Sequence, residues 1–283
     1  MKGLVNIGNT CYLNAGLQML LQNNDFCLLI IKYSNESEIL NKIKDNILEY
    51  YDNTNSNLTP IKIKEIVENS QNIFIGSHQH DSIEFIIFLL DIIEKEILKI
   101  NPSSTELKDI FYCFFNVRIK CKITTCLNIC NVKENNSFLI LDIDENCNTL
   151  DDAYRKFKLG ELLDNDNKYF CEKCGIKRVA SKRTEIVLWP NHLLVWLKRY
   201  SNNNSHINKN SKQIKIPLYW RHNMILYGAI VHSGSLFGGH YVYVGKNNNN
   251  WYLFNDSSVS IINNDEQLED LLNNAYCLYY KSN

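Results

Sequence analysis

Phe115-Asn116-Val117-Arg118-Ile119-Lys120-Cys121-Lys122-Ile123 is the stretch in which the hydrophobic period of this 283-residue chain changes. Apolar side chains stand there at every second position, the repeat of a strand with one buried face. Before it the repeat is helical. Cys11–Gln22 carries Leu13, Leu17, Leu20 and Leu21 at helix-like intervals, with Asn9 or Thr10 available as the cap. Ile39, Leu40, Ile43, Ile47 and Leu48 form a second stripe, and Ile83, Ile86, Ile87, Leu90, Ile93 and Ile97 a third that stops before Asn101-Pro102. After it, alternation resumes at Leu139, Leu141 and Ile143. A short helical piece near 149–157 follows, and the remainder reads as strands over 184–189, 192–200, 223–232, 240–245, 251–256 and 275–281. A helical first half and an antiparallel second half predict an α+β fold.

Composition narrows the function. Hydrophobic residues make up 45% and aromatics 11%, enough for a packed core. With 4 prolines and 11 glycines, no stretch reads as a long linker, so one domain over 1–283 is expected. Lys plus Arg total 30 against 31 Asp plus Glu, a formal charge of -1. That balance gives no broad positive field, and no nucleic-acid partner is expected. Met1–Asn6 has no signal-peptide apolar run, and the longest apolar region, Ile83–Ile100, is broken by Glu84, Asp91, Glu94 and Glu96, so no membrane association is expected. The ten cysteines are then expected to be reduced, in a cytoplasmic or nuclear setting, and free for catalysis or metal. Asn runs at 202–204 and 247–250 read as loop filler.

Two segments carry chemistry. In Gly3-Leu4-Val5-Asn6-Ile7-Gly8-Asn9-Thr10-Cys11-Tyr12-Leu13-Asn14 a Gly/Asn-rich loop delivers a cysteine to the first turn of a helix. The helix dipole and unpaired backbone N–H groups favour a thiolate there. The same N–H groups, with the Asn6 amide, suit an oxyanion. By itself this cysteine could equally be a small buried hydrophobe at a helix start. Far downstream, His232-Ser233-Gly234-Ser235-Leu236-Phe237-Gly238-Gly239-His240-Tyr241 is a Gly-rich turn that enters a strand at a histidine. Gly238 and Gly239 would let a substrate backbone approach closely. Trp251-Tyr252-Leu253-Phe254-Asn255-Asp256-Ser257-Ser258 then offers an amide and a carboxylate to orient the imidazole. The order Cys, His, Asn/Asp suits a thiol nucleophile with a distant general base.

The Cys11 and His240 segments resemble the two signature boxes of the ubiquitin-specific protease family of deubiquitinases. Gln79-His80-Asp81-Ser82-Ile83-Glu84-Phe85, Leu197-Lys198-Arg199-Tyr200 and Tyr227–Gly234 resemble further family landmarks, in the family's order, and the likeness spans residues 3 to 281. It implies a papain-like fold with a helical thumb (about 1–110), then a β palm and antiparallel β fingers (about 111–283). It implies hydrolysis of isopeptide or peptide bonds after the C-terminal Gly of ubiquitin, with ubiquitin and ubiquitinated proteins as partners. Cys11 would be the nucleophile, His240 the general base, Asn6 the oxyanion-stabilising residue and Asn255 the third residue. Asp81 would meet the arginine-containing ubiquitin tail, alongside Gly238, Gly239 and Tyr241. From the residues alone, Asp81 and Glu84 also suit the start of a long helix. Asp256 is expected to share the support of His240 or to hold the oxyanion region. His80 departs from the family's second Gln. A monomer without flanking targeting domains is expected. Its rivals are a protease for a ubiquitin-like modifier and a non-cleaving ubiquitin-binding protein.

Cys171-Glu172-Lys173-Cys174-Gly175 is half of a zinc knuckle, because C-x-x-C places two thiolates on one tetrahedral ion. Alternation through Phe115, Ile119 and Ile123 resembles the family's first finger strand and predicts the facing turn at Cys126–Cys130, with Cys121 left in the strand. The expected structural zinc ligands are therefore Cys126, Cys130, Cys171 and Cys174. Lys120, Lys122, Lys133, Lys173, Lys177 and Arg178 read as solvating the finger. Cys27, Cys113, Cys147 and Cys277 read as core or strand residues.

Overall fold

The computed structural model describes residues 1–54, 56–70, 72–203, 206–235 and 238–283, with 201–203 and 206–208 as backbone alone. Helices α1 (Cys11–Leu21), α2 (Asn24–Tyr33), α3 (Glu38–Tyr51), α4 (Ile61–Ser70), α5 (Ser82–Ile100) and α6 (Glu106–Phe111) come first. The three expected stripes are α1, α3 and α5. Every residue of α1 is buried, because the helix lies between α5 and the sheet strand that carries His240. Helices α2, α4 and α6 were not foreseen. The first of them does carry a local signal, since the Asn23 side chain accepts from the Phe26 N–H.

The second half contributes β1 (Cys113–Cys121), β2 (Ile129–Asn136), β3 (Phe138–Asp142), α7 (Leu150–Leu159), β4 (Glu161–Leu163), β5 (Tyr169–Cys171) and β6 (Ile176–Arg178). It continues through β7 (Ala180–Leu188), β8 (His192–Lys198), β9 (Tyr200–Asn203), β10 (His206–Lys209), β11 (Tyr219–Trp220) and β12 (Met224–Ser235). The last elements are β13 (Gly238–Asn247), β14 (Asn250–Asn255), β15 (Ser258–Ile262), α8 (Asp265–Asn273) and β16 (Ala275–Ser282). The finger sheet has the order β2-β1-β7-β4. The palm sheet has the order β15-β14-β13-β12-β16-β8-β3, with β11 on β12. Its pairs are antiparallel except β3 with β8, which run parallel. The Asn202–Asn204 run expected as loop begins in the β9–β10 hairpin; Asn204-Ser205 lie outside the described residues, as do Leu236-Phe237 of the histidine segment.

Both faces of the palm sheet are covered. Ile230, Tyr243, Phe254 and Tyr279 pack against the thumb helices, while Val195, Ala229, Val244 and Leu278 pack on Leu150 and Tyr154 of α7 and Leu272 of α8. A strand buried on both faces loses its polar alternation; β16 is buried from Ala275 to Tyr280.

Buried polar groups fasten these layers. Arg199 donates to the carbonyls of Ala275, Asn210, Lys212 and Asn273, which compensates its removal from water. His192 is fully buried between thumb and palm. Its Nε2 lies 2.6 Å from Asp25 Oδ2 and its Nδ1 2.8 Å from the Tyr279 hydroxyl. An ionised carboxylate only accepts, so Nε2 carries the proton and Nδ1 accepts from Tyr279. Burial pushes the His192 pKa down, against the pull of Asp25. The unfolded chain therefore binds a proton at this residue near pH ~6.5 that the folded chain takes only at lower pH. Stability is expected to fall as pH drops from 7 towards 5, with His232, pushed down to about 4 by burial and by Lys209, adding to the slope. His192→Asn should be less stable at pH 7 yet lose less on acidification; thermal melts across that range would show it, and an unchanged slope would contradict it.

Candidate active site

Cys11 opens α1 and is 4% exposed. Burial pushes its thiol pKa up, and the Asp256 charge adds to this. Opposing them are nearby backbone N–H groups that favour the thiolate, foremost that of Tyr241, the residue after His240. The net direction is upward. A thiol whose pKa is raised calls for a base, and β13, which packs along α1, is the strand that carries His240.

His240 Nε2 lies 2.6 Å from Asn255 Oδ1 on the neighbouring strand β14. The amide oxygen accepts, so Nε2 holds the proton and Nδ1 keeps its lone pair. Strand β14 ends at Asn255, and Asp256-Ser257 make the turn into β15. Asp256 has φ of 49°, in the left-handed region. It thus leaves strand alternation, and its carboxylate turns to the Cys11 loop instead of the ring. Asn6 Nδ2 donates to Asp256 Oδ2 at 2.9 Å, and Asn14 Nδ2 donates to Oδ1 at 2.8 Å. Asn6 Oδ1 in turn accepts from the Gly8 and Thr10 N–H groups, each at 3.1 Å. That leaves one N–H of the Asn6 amide uncommitted beside the helix start. The Leu4 N–H donates to the Asp256 carbonyl at 2.8 Å, and a Cβ on Gly3 would sit 2.3 Å from the Ser257 oxygen. Only glycine allows that approach.

Asp81 is the N-cap of α5, with Oδ1 accepting from the Ile83 and Glu84 N–H groups. Its Oδ2 accepts from Tyr276 at 2.6 Å and from Tyr241 at 3.2 Å. Asp81 and Tyr241 thus join thumb to palm, and Glu84 is the exposed carboxylate in the same cleft. The cleft, about 200 Å³, is lined by Cys11, Gln79, Glu84, His232, Gly239 and Tyr241 among others. Gly238 lies in open space. A Cβ on Gly239 would meet the His232 ring at 2.2 Å, so this position needs glycine for its own packing. His80 packs between Tyr12 and Phe74, at 5.2 and 5.0 Å.

Several of these partners escaped the reading of the sequence. Gln79 spans the cleft, donating to the Gly239 carbonyl at 3.1 Å and accepting from its N–H at 3.0 Å. Asn14 and Tyr276 were missed as well. Asn14 had a signal, because it lies one helical turn after Cys11. Tyr276 had none, since its link to Asp81 spans 195 positions.

At the finger tip the structure corrects the expected ligand set. The sulfurs of Cys121, Cys126, Cys171 and Cys174 lie within 4.8 Å of one another, and Cys130 is not among them. The reason is where β1 stops. It ends at Cys121, short of Ile123, so the turn spans 122–128 and Cys130 is already in β2, opposite Ile119. Four sulfurs ~2.3 Å from one tetrahedral ion must lie ~3.8 Å apart. Cys126 and Cys171 are 3.5 Å apart, and Asn128 Nδ2 donates to the Cys171 sulfur at 3.4 Å. The four residues fit a closed metal site. Cys27, Cys113, Cys147 and Cys277 are buried, and all ten cysteines are free.

The comparisons agree with this arrangement. The family model described as ubiquitin carboxyl-terminal hydrolase matches residues 2–280. Ubiquitin carboxyl-terminal hydrolase 16 of Arabidopsis thaliana is 28% identical over 98% of this chain, which spans 30% of that relative. Ubiquitin carboxyl-terminal hydrolase 17 of the same plant is 30% identical over 98% of this chain and 41% of its own length. Among solved structures, a chain of the SAGA DUB module Ubp8/Sgf11/Sus1/Sgf73 bound to monoubiquitin superposes with a TM-score of 0.81 at 25% identity. It covers 100% of this chain and 69% of its own. The α+β papain-like architecture of this family is thus the one observed, and the chain belongs to the ubiquitin carboxyl-terminal hydrolase family.

Proposed function

We propose that the chain is a cysteine deubiquitinase that hydrolyses the bond after the last glycine of ubiquitin, with Cys11 as nucleophile and His240 as general base. One observation carries this reading. Asn255 orients His240 on β13, the strand that packs along the Cys11 helix, and the next residue, Tyr241, lines the same cleft as Cys11. In this mechanism His240 Nδ1 takes the thiol proton and the sulfur attacks the glycine carbonyl. The oxyanion is held by the free Asn6 N–H and the backbone N–H groups at the start of α1. His240 then protonates the leaving amine and later activates the water that cleaves the thioester. Glu84 is the available acid for an arginine of the ubiquitin tail, while Asp81 orders the cleft. Every proposed group comes from one chain, so a monomer suffices as a single catalytic unit. Its free cysteines suit a reducing cytoplasmic or nuclear setting. Fluorogenic ubiquitin and fluorogenic ubiquitin-like modifiers, assayed side by side, test the substrate. Efficient hydrolysis of ubiquitin alone is expected, and preference for another modifier would overturn the assignment.

The finger tip is proposed to hold one structural zinc on Cys121, Cys126, Cys171 and Cys174. Elemental analysis should find about one zinc per chain. Cys121→Ser should lower that content while Cys130→Ser leaves it intact. The opposite pattern would restore the ligand set expected from the sequence.

A further inference from the structure

The finger sheet carries a group of cations that the catalytic reading does not use. Val117, Ile119 and Cys121 face one side of β1; Arg118 and Lys120 face the other, with Lys122 just beyond. Across the ladder Arg118 stands directly opposite Arg183, and Lys120 opposite Ser181. These five residues line a concavity of about 250 Å³ whose wall holds no carboxylate. Elsewhere lysines find acids, as Lys182 on the other face of β7 finds Glu161 at 3.1 Å. Among the described residues, none of the ion pairs within 4.0 Å involves any of these four cations. Like charges directly opposite in a ladder are destabilising. Glu185, two residues along β7 from Arg183, and Lys133 both stand opposite Asn116 on this face, which therefore keeps a local positive excess in a chain of net charge -1.

We propose that this face of the fingers docks an extended acidic polypeptide segment, with carboxylates at alternate positions. The spacing carries the choice of partner. Alternate residues of β1 present charge every ~7 Å, which is also the same-face repeat of an extended peptide lying along the strand. No aromatic side chain lines the concavity, so the stacking platform of a single-stranded nucleic acid is missing. Each docked carboxylate meets a guanidinium or ammonium group, with Arg118 and Arg183 able to share one carboxylate between two planar forks.

The experiment uses the whole chain and fluorescent peptides of alternating Glu-Thr or Gln-Thr, read by anisotropy at low and high salt. The Glu-Thr peptide should bind more tightly than the Gln-Thr peptide and weaken with salt. The paired variant Arg118→Glu with Arg183→Glu should weaken it by at least about tenfold. Arg118→Gln with Arg183→Gln should fall between, and keeps the test alive if charge reversal impairs folding. Ubiquitin hydrolysis by the Gln pair should stay within about twofold of the parent. Equal binding of the two peptides, indifference to both pairs, or tighter binding of oligothymidylate would overturn the proposal. A parallel loss of ubiquitin hydrolysis would overturn it too, by assigning the face to ubiquitin itself.

Discussion

Cys11→Ala is expected to abolish hydrolysis of fluorogenic ubiquitin while leaving ubiquitin affinity within about threefold of the parent. On the proposed reading the thioester needs the sulfur, whereas affinity would come from a surface far wider than one side chain. Cys11 is buried against α5 and β13, and removing one sulfur leaves the N-cap and its loop bonds in place. Isothermal titration with ubiquitin beside the hydrolysis assay separates the two effects. Residual turnover by the variant, or loss of binding in step with activity, would contradict the assignment of this residue.

The second large effect concerns two neighbours with different tasks. Asn255 holds the His240 tautomer, and Asp256 holds Asn6 and Asn14. Asp256→Ala should lower kcat/KM by roughly 10²–10³, the cost of losing one oxyanion donor, because the freed Asn6 amide is no longer aimed. Asn6→Ala should cost a similar factor, and combining the two should add little, as expected for residues acting through one contact. Asn255→Asp should retain activity, because its carboxylate still accepts from Nε2. Asn255→Ala should reduce activity moderately. Multiplicative losses for Asn6→Ala and Asp256→Ala would separate their roles. A neutral Asp256→Ala would show that Asn255 acts alone.

The legible parts of this molecule were those written in local pattern. The stripes of α1, α3 and α5 repeat apolar residues every three or four positions, and both segments bearing Cys11 and His240 read directly from their loop and strand residues. Helices α2, α4 and α6 are short, and packing partners determine them more than periodicity does. The error at Cys130 came from trusting alternation to Ile123. Apolar spacing continues past Cys121, but the backbone turns there to bring Cys121 to the C-x-x-C pair. Asp256 was legible only as two alternatives, because an ideal strand points it away from the site and only its φ of 49° directs it to Asn6. Long-range bonds such as Tyr276 to Asp81, and the concentration of Arg118 and Arg183 in one concavity, follow from strand register. Register is set by the whole fold.

The central claim is that Cys11 is the thiol aimed by His240 at the end of ubiquitin's tail, among ten free cysteines in one chain. It is tested most directly by reacting the protein with ubiquitin bearing a C-terminal electrophile and locating the adduct by peptide mass spectrometry. A single adduct on Cys11, slowed strongly by His240→Ala, is the predicted result. Modification of any other cysteine, or unchanged labelling without His240, would contradict it.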